Sequence, residues 1–330
     1  MSAENILSDW KNNKFKPVYW LEGEEDFYID NLMQYAEHHI LSESEASFNL
    51  SIFYGRDTIW ADLINACRRY PMFAERQVVL LKEAQLMKDI EKLEGYVENP
   101  LNSTVFIVGY KGDFDKRKKL YKLLKQSAVL FSSGKIKDDK VPAWIAGIVK
   151  EKGYSIDAKT IALLYEHIGN DLSRIANEVD KLSVNLKGKK TIDEDDIEKY
   201  IGISKEYNIF ELSAAIAKKD LPKAINILNY FAANPKAAPI QLALPALYSQ
   251  VSKVYAAFSL KSNDALKQHF YFNPIALQQG QEMMKNYGFE GIEKLILLLQ
   301  HYNLKSVGVG DNGTPGAVLM KEMIAKMMLA

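Results

Sequence analysis

From the N-terminus to about residue 135, the chain alternates between two hydrophobic patterns, and this alternation restricts the fold strongly. Short runs rich in β-branched and aromatic residues are separated by stretches with apolar residues every three or four positions. The strand-like runs are "PVYWLE", "FNLSIFY", "RQVVLL", "TVFIVGY" and "AVLF", and the helix-like stretches include "DTIWADLINACRRY" and "KRKKLYKLLKQ". Strands that alternate with helices predict an α/β domain whose parallel sheet is flanked by helices.

The pattern becomes entirely helical beyond this region. Helical periodicity runs through "VPAWIAGIVKEKG", "DAKTIALLYEHIG" and "DLSRIANEVDKLSVNL", and later through "PIQLALPALYSQVSKVYAAF". Thr191 and Glu194 stand at the spacing of a capping box, which predicts a further helix start there. A chain of 330 residues exceeds what one core usually serves. We therefore predict an α/β domain at 1–138, a small helical domain at 139–205 and a helical bundle at 206–330.

Charge and cysteine content exclude several classes of protein. Lys plus Arg equals Asp plus Glu, at 42 each, whereas a free-standing DNA-coating protein usually carries a large basic excess. The single cysteine, Cys67, excludes an internal disulfide, and the histidines show no metal-ligand spacing. The first residues do not form a signal peptide, and no apolar run is long enough for a membrane span. We expect a cytoplasmic protein without a metal site or membrane contact.

Two glycine-containing motifs resemble nucleotide-binding loops. The first is "GEEDFYID", which follows a strand-like run and opens a helix-like one, as a phosphate-binding loop does. It carries Glu24, Glu25 and Asp26 where a phosphate loop carries Lys and Ser or Thr, and these carboxylates would repel a triphosphate. The second, "GVGDNG" at 308–313, matches a dinucleotide fingerprint but follows a helix, so we interpret it as an inter-helix loop.

The stretch "RRYPMFAERQVVLL" places two large apolar residues on a loop. A predicted helix ends at Tyr70, Pro71 breaks it, and strand-like sequence resumes near Gln77. Met72 and Phe73 therefore lie between the two elements. They either fold back to cap the local core or project as a hydrophobic plug for a pocket of another protein.

A basic stretch, "KGDFDKRKKLYKLLKQ", opens a predicted helix. Lys116, Arg117, Lys118 and Lys119 lead it. They could contact DNA phosphates, yet such a run is more often a solvated helix face, and cations are unfavourable at the positive end of a helix.

In their order and spacing, several of these segments resemble the delta-subunit family of bacterial DNA polymerase III, which belongs to the clamp loader. The resemblance runs from about Lys16 to the C-terminus. It is carried by "VYWLEGEEDFYID", "PMFAERQVVLL", "ENPLNSTVFIVGY" followed by "DKRKKLYKLLK", and "GNDLSRIANEVDKL".

The resemblance implies an AAA+ fold that has lost its nucleotide site. The acidic turn lies where a phosphate loop would be, and Glu83 lies where the metal-binding acids of an active member would follow their strand. No cofactor is then expected on this chain, and ATP would bind only to partner subunits. The chain would contribute no catalysis of its own to the DNA-directed DNA polymerase, a nucleotidyltransferase complex.

The resemblance also implies a role for Met72 and Phe73. In this family two adjacent hydrophobic residues after the second long helix insert into the sliding clamp, or beta subunit, and help to open it. The implied partners are the clamp, the ATPase tau/gamma subunits, delta-prime and primed DNA, with 206–330 joining a collar. The alternatives are a nucleotide-binding ATPase with a divergent site, a helical scaffold, and the related delta-prime subunit.

Overall fold

The computed structural model describes residues 1–186, 188–204, 206–235, 238–259, 270, 274–311 and 313–330. Two compact units make up the chain, Met1–Ile136 and Lys137–Ala330. We call them the sheet unit and the helical unit. The further division of the helical unit at about residue 205 stays a prediction.

The sheet unit is built around five parallel strands in the order β2-β3-β4-β1-β5. The strands are β1 (Val18–Gly23), β2 (Leu50–Tyr54), β3 (Gln77–Lys82), β4 (Thr104–Lys111) and β5 (Val129–Ser133). The helices are α1 (Ala3–Lys11), α2 (Asp26–His39), α3 (Glu43–Asn49), α4 (Trp60–Cys67), α5 (Glu94–Val97) and α6 (Lys119–Ser127). Five strands and the flanking helices confirm the predicted α/β fold.

Helices cover both faces of this sheet, which is why its strands are apolar almost without interruption. Val18 and Trp20 of β1 point into one core, against α4 and α6. Tyr19 and Leu21 point into the opposite core, against α1 and α2. Because successive side chains alternate between faces, each of these strands contributes to two cores at once.

The helical unit contains mostly α-helices. They are α7 (Val141–Glu151), α8 (Ala158–Ile168), α9 (Leu172–Asn185), α10 (Glu194–Asp196), α11 (Ile209–Lys218), α12 (Leu221–Ala233), α13 (Ile240–Ser259), α14 (Pro274–Ser306) and α15 (Gly316–Met328). Two short strands, β6 (Ser155–Ile156) and β7 (Thr191–Ile192), pair in parallel, which the sequence did not predict. Gly288 interrupts α14 with a φ of 64°.

The structure differs from the predictions at two helix starts and agrees with them at one loop. The capping box at α10 is formed by Asp193 and Asp196, because Thr191 is part of β7 instead, so the predicted pair was wrong. The basic helix begins at Lys119 and not at Lys116. Residues 308–313 lie between α14 and α15, as predicted, although Asn312 lies outside the described residues.

Candidate functional site

The loop between α4 and β3, residues 68–76, carries the most exposed large apolar side chain of the described residues. Phe73 is 95% exposed, and Met72 before it is 54% exposed. The alternative that both side chains fold back over the core is therefore wrong. We call residues 68–76 the apolar loop. It stands at the amino edge of the sheet, because it leads directly into β3.

Buried amides hold this loop at two points. Asn49, the last residue of α3, accepts a hydrogen bond from the Met72 backbone N–H at 2.7 Å and donates one to the Met72 carbonyl at 2.9 Å. Gln77, the first residue of β3, places its side-chain nitrogen 2.5 Å from the Arg69 carbonyl and 3.1 Å from the Ala66 carbonyl. The loop is thus tied both to α3 and to the end of α4.

Further large apolar residues are exposed in the apolar loop, at the end of α3 and on β2, and the sequence did not single them out. Tyr70 belongs to the loop and is 77% exposed, and Phe48 precedes Asn49 and is 67% exposed. Ile52 and Tyr54 are exposed on β2, which is one of the two edge strands of the sheet. Their strand-like pattern was visible in the sequence, but only the sheet order identifies β2 as an edge.

The acidic turn, residues 23–26, lies at the opposite, carboxyl edge of the sheet and is hydrogen-bonded to Gly112 and Ser133. The Gly23 N–H donates to the Gly112 carbonyl at 2.9 Å, and the Glu24 N–H donates to the Ser133 carbonyl at 2.9 Å. The Ser133 hydroxyl donates to the Glu25 carbonyl at 3.0 Å. A phosphate loop directs its amides at the ligand, whereas here the amides of Gly23 and Glu24 bond to the sheet.

Glu22 lies just before this turn, inside the protein. Its carboxylate accepts a hydrogen bond from the Trp20 indole N–H at 2.9 Å. Burial raises the pKa of the Glu22 carboxyl, and the Trp20 bond only partly offsets the effect. Burial likewise raises the pKa of Glu25. Two buried carboxyls make this region still less suitable for a polyphosphate.

A lysine from β4 forms ion pairs with two carboxylates in the first turns of α2. The Lys111 ammonium lies 2.8 Å from Asp30 and 3.7 Å from Asp26. Burial lowers the pKa of Lys111, but the hydrogen bond to Asp30 and the charges of Asp30 and Asp26 outweigh this and raise it. Glu83 is exposed and takes a left-handed backbone conformation, with a φ of 51°.

The basic stretch is engaged with acidic side chains of its own unit. Lys118 lies 3.1 Å from Glu91, and Lys119 lies 3.0 Å from Glu94. The Arg117 guanidinium lies 2.9 Å from Asp115, and it holds the pKa of that carboxyl at about 2. The pairs of Lys118 and Lys119 were not predicted, because Glu91 and Glu94 are distant in the sequence. Whether Lys116 to Lys119 contact DNA stays a prediction.

The described part of the chain holds no cluster of three or more His, Cys, Asp or Glu side chains that could ligate a metal ion. Within the same residues, no helix combines the length and the apolar character that crossing a bilayer requires.

Comparisons with known proteins agree with the resemblance seen in the sequence. Residues 19–133 match the family model described as "DNA polymerase III, delta subunit". The DNA polymerase III subunit delta of Bacillus subtilis (strain 168) is 24% identical over 234 residues, covering 68% of this chain and 67% of that protein. The "Probable DNA polymerase III subunit delta" of Aquifex aeolicus (strain VF5) is 23% identical over 302 residues, covering 86% and 84%.

The fold is also shared with a solved structure. The Bacillus subtilis DNA clamp loader delta protein superimposes with a TM-score of 0.60 at 19% identity, covering 99% of this chain and 100% of that one. The predicted resemblance and the predicted fold class are therefore confirmed.

Proposed function

Because this chain is similar to DNA polymerase III delta subunits, we propose that it binds a sliding clamp through Met72 and Phe73 and helps to open the ring. It would do so as a clamp-loader subunit, during loading of the clamp onto primed DNA. The proposal names the two residues of the apolar loop as the clamp-binding residues.

The exposure of Phe73 carries the proposal. An aromatic side chain that is 95% exposed on a held loop gains nothing from the fold of its own chain. Its burial in an apolar pocket would contribute about 1.5–3 kcal/mol. Met72, more than half exposed, adds a flexible thioether that adapts to an irregular pocket. Compact aromatic anchors of this kind are typical of interface hot spots.

Opening then follows from differential affinity. A closed clamp ring is in equilibrium with opened forms, and a ligand that binds the opened form more tightly shifts the population towards it. The change in the ratio of open to closed rings cannot exceed the ratio of the affinities for the two forms. The wedge formed by Met72 and Phe73 therefore favours opening, and it need not hold the ring wide open by itself.

The same proposal assigns no nucleotide to this chain. The Gly23 and Glu24 amides are bonded to the sheet, and Glu22 and Glu25 are buried beside them. ATP would bind to partner subunits, the tau/gamma ATPases, which together with delta-prime would complete the loader and meet the helical unit. Lys116 to Lys119 remain candidates for a contact with primed DNA inside that assembly.

The test is binding of the full chain to the sliding clamp of its own organism. Phe73→Ala is expected to weaken binding at least tenfold, about 1.4 kcal/mol, with an unchanged melting temperature because the side chain packs little. Tyr248→Ala, which removes an exposed aromatic residue from α13, is the matched control and should bind like the wild type.

Two results would contradict the proposal. Equal binding by wild type and Phe73→Ala would move the clamp contact elsewhere. Absence of binding by both, together with a rise in melting temperature on titration with MgATP, would favour the nucleotide-binding alternative.

A further inference from the structure

We infer that Asn49 is a positioning residue for the proposed clamp contact: its buried side-chain amide holds the Met72 backbone, so that Phe73 is presented to a partner in one fixed conformation. This inference rests on the proposed function of the apolar loop. It assigns a role to a residue that touches neither the clamp nor a nucleotide.

The geometry of the amide is specific. Asn49 Oδ1 accepts from the Met72 N–H at 2.7 Å, and Asn49 Nδ2 donates to the Met72 carbonyl at 2.9 Å and to the Glu45 carbonyl at 3.0 Å. The first two bonds give Met72 both partners that a neighbouring strand would have supplied. A side-chain amide carries its donor and its acceptor on two separate atoms of one planar group, so it can bond the N–H and the carbonyl of the same residue. Asn49 is 3% exposed, so water does not compete for these bonds.

The rest of the apolar loop depends on this anchor. Among the described residues, no backbone–backbone hydrogen bond involves residues 70–76. The two hydrogen bonds between Asn49 and Met72 are therefore the point at which the middle of the loop is tied to the sheet unit. Gln77 ties the other end, through the carbonyls of Ala66 and Arg69.

The conformation of Phe73 shows that the anchor acts against a local preference. Phe73 directly follows Met72 and has a φ of +54°, in the left-handed region that residues with a side chain avoid. Such a conformation persists only where the surroundings impose it. The bond to the Met72 carbonyl fixes the Met72–Phe73 peptide, one of the two that flank Phe73, and the bond from the Met72 N–H fixes the peptide before it. Together they direct the Phe73 side chain outwards.

Preorganisation gives this arrangement its consequence for binding. A loop that must be ordered on association loses part of its interaction energy to that ordering. A loop held by Asn49 presents Phe73 without this loss. Removal of the amide should leave Phe73 exposed but mobile, so that clamp binding weakens although no contacting residue has changed.

The experiment is a double-mutant cycle on the full chain, with clamp affinity as the readout. Asn49→Ala should weaken binding about fivefold to tenfold when Phe73 is present and should have no further effect in the Phe73→Ala background. Asn49→Asp keeps an acceptor for the Met72 N–H but loses both donors, so it should fail to rescue. Hydrogen exchange at the Met72 amide should accelerate in Asn49→Ala, and less so in Asn49→Asp, which keeps the acceptor for that amide.

The control is Ser42→Ala, which removes the N-terminal cap of the same helix, α3, and does not touch the loop. It should destabilise the sheet unit without changing clamp affinity. The inference is overturned if Asn49→Ala binds as well as Ser42→Ala, or if it costs the same in the Phe73→Ala background. If Phe73→Ala itself binds normally, the proposed function fails first, and the positioning role fails with it.

Discussion

The two ends of the central sheet are used in opposite ways. At the carboxyl edge, where α/β sheets usually bind ligands, the acidic turn directs its amides into the protein, onto Gly112 and Ser133. At the amino edge, the apolar loop directs Phe73 into solvent. The carboxyl edge retains the strand–turn–helix frame of a nucleotide site but is closed, and the amino edge holds the surface that a partner can reach.

Two residues with positive φ make the contrast concrete. Gly23 has a φ of +135°, and its Cα faces the Ser133 backbone so closely that a methyl group would lie 2.0 Å from the Ser133 carbonyl oxygen. Phe73 has a φ of +54° and carries a full aromatic side chain. In the first case the fold demands glycine. In the second, a bulky residue occupies a backbone conformation that glycine would adopt with less strain. This choice of residue points to a requirement other than stability.

The largest effect is expected at Gly23. Gly23→Ala should destabilise the sheet unit by about 3 kcal/mol or more, because backbone strain and a clash with Ser133 add together. Denaturant unfolding of the full chain measures it. The matched control is Gly112→Ala, which has a similarly positive φ of +114° but open space at the added methyl group, and it should cost clearly less.

Equal destabilisation by the two alanines would show that the acidic turn is not packed tightly against β5. The carboxyl edge would then be open, and the contrast between the edges would disappear.

At Phe73, substitution should separate binding from stability. Phe73→Gly relieves the left-handed strain and loses no core contact, so its stability should lie between that of the wild type and about 1 kcal/mol above it. Clamp binding should nevertheless fall at least tenfold. Melting curves and a clamp titration on the same preparation measure both quantities.

A Phe73→Gly protein that melts well below the wild type would contradict the description of the apolar loop as a site that stability does not need. Phe73→Ala, which keeps a Cβ in the left-handed region, is the control that separates strain from loss of the aromatic ring.

A smaller effect is expected from the buried carboxyl of Glu22. Because the pKa of folded Glu22 lies above its ordinary value of 4.5, the folded state holds the proton more tightly than the unfolded chain does. This contribution to stability is present at low pH and is lost as pH rises from 4.5 through the folded pKa. Glu22→Gln retains an acceptor for Trp20 and should raise the melting temperature at pH 7 by about 1–3 °C.

The difference in melting temperature between Glu22→Gln and wild type should shrink below pH 4.5. The exposed Glu24→Gln removes a charge two residues away and serves as the control. If both variants change the melting temperature equally at every pH, the effect is one of net charge and not of burial.

Sequence patterns predicted the sheet well and the held loop poorly, for a physical reason. Burial on both faces makes β1, β3 and β4 continuous apolar runs, and such runs are visible locally. The exposed position of Phe73 could be suspected from Pro71 alone. The hydrogen bonds between Asn49 and Met72 could not be predicted, because the two residues are 23 positions apart and nothing in the neighbouring sequence marks this asparagine as buried.

The closure of the acidic turn is hidden for the same reason. Three carboxylates at a helix start indicated a poor phosphate site, but the bond between Glu25 and Ser133 spans 108 residues. The ion pairs of Lys118 and Lys119 also join separate segments. Long-range hydrogen bonds and ion pairs depend on the completed fold, whereas hydrophobic periodicity can be seen within the sequence of each helix or strand.

The smallest effect is expected in the basic stretch, which lies between the two extremes: it is exposed, yet occupied internally. Lys119 contacts Glu94 and Glu98, so a DNA phosphate would first have to displace them. In an assembled loader, Lys119→Gln should therefore change the slope of log affinity for primed DNA against log salt by well under one unit.

Glu94→Gln sharpens this test, because it releases Lys119 from its nearer partner without removing the cation. If the stretch faces DNA, Glu94→Gln should tighten DNA binding while Lys119→Gln weakens it, and the slope should fall by about one unit per lysine lost. If neither variant changes the slope, the lysines serve the surface of the sheet unit. The apolar loop would then be the surface of that unit with the stronger claim to a partner, since Phe73 is 95% exposed and a partner would have almost nothing to displace from it.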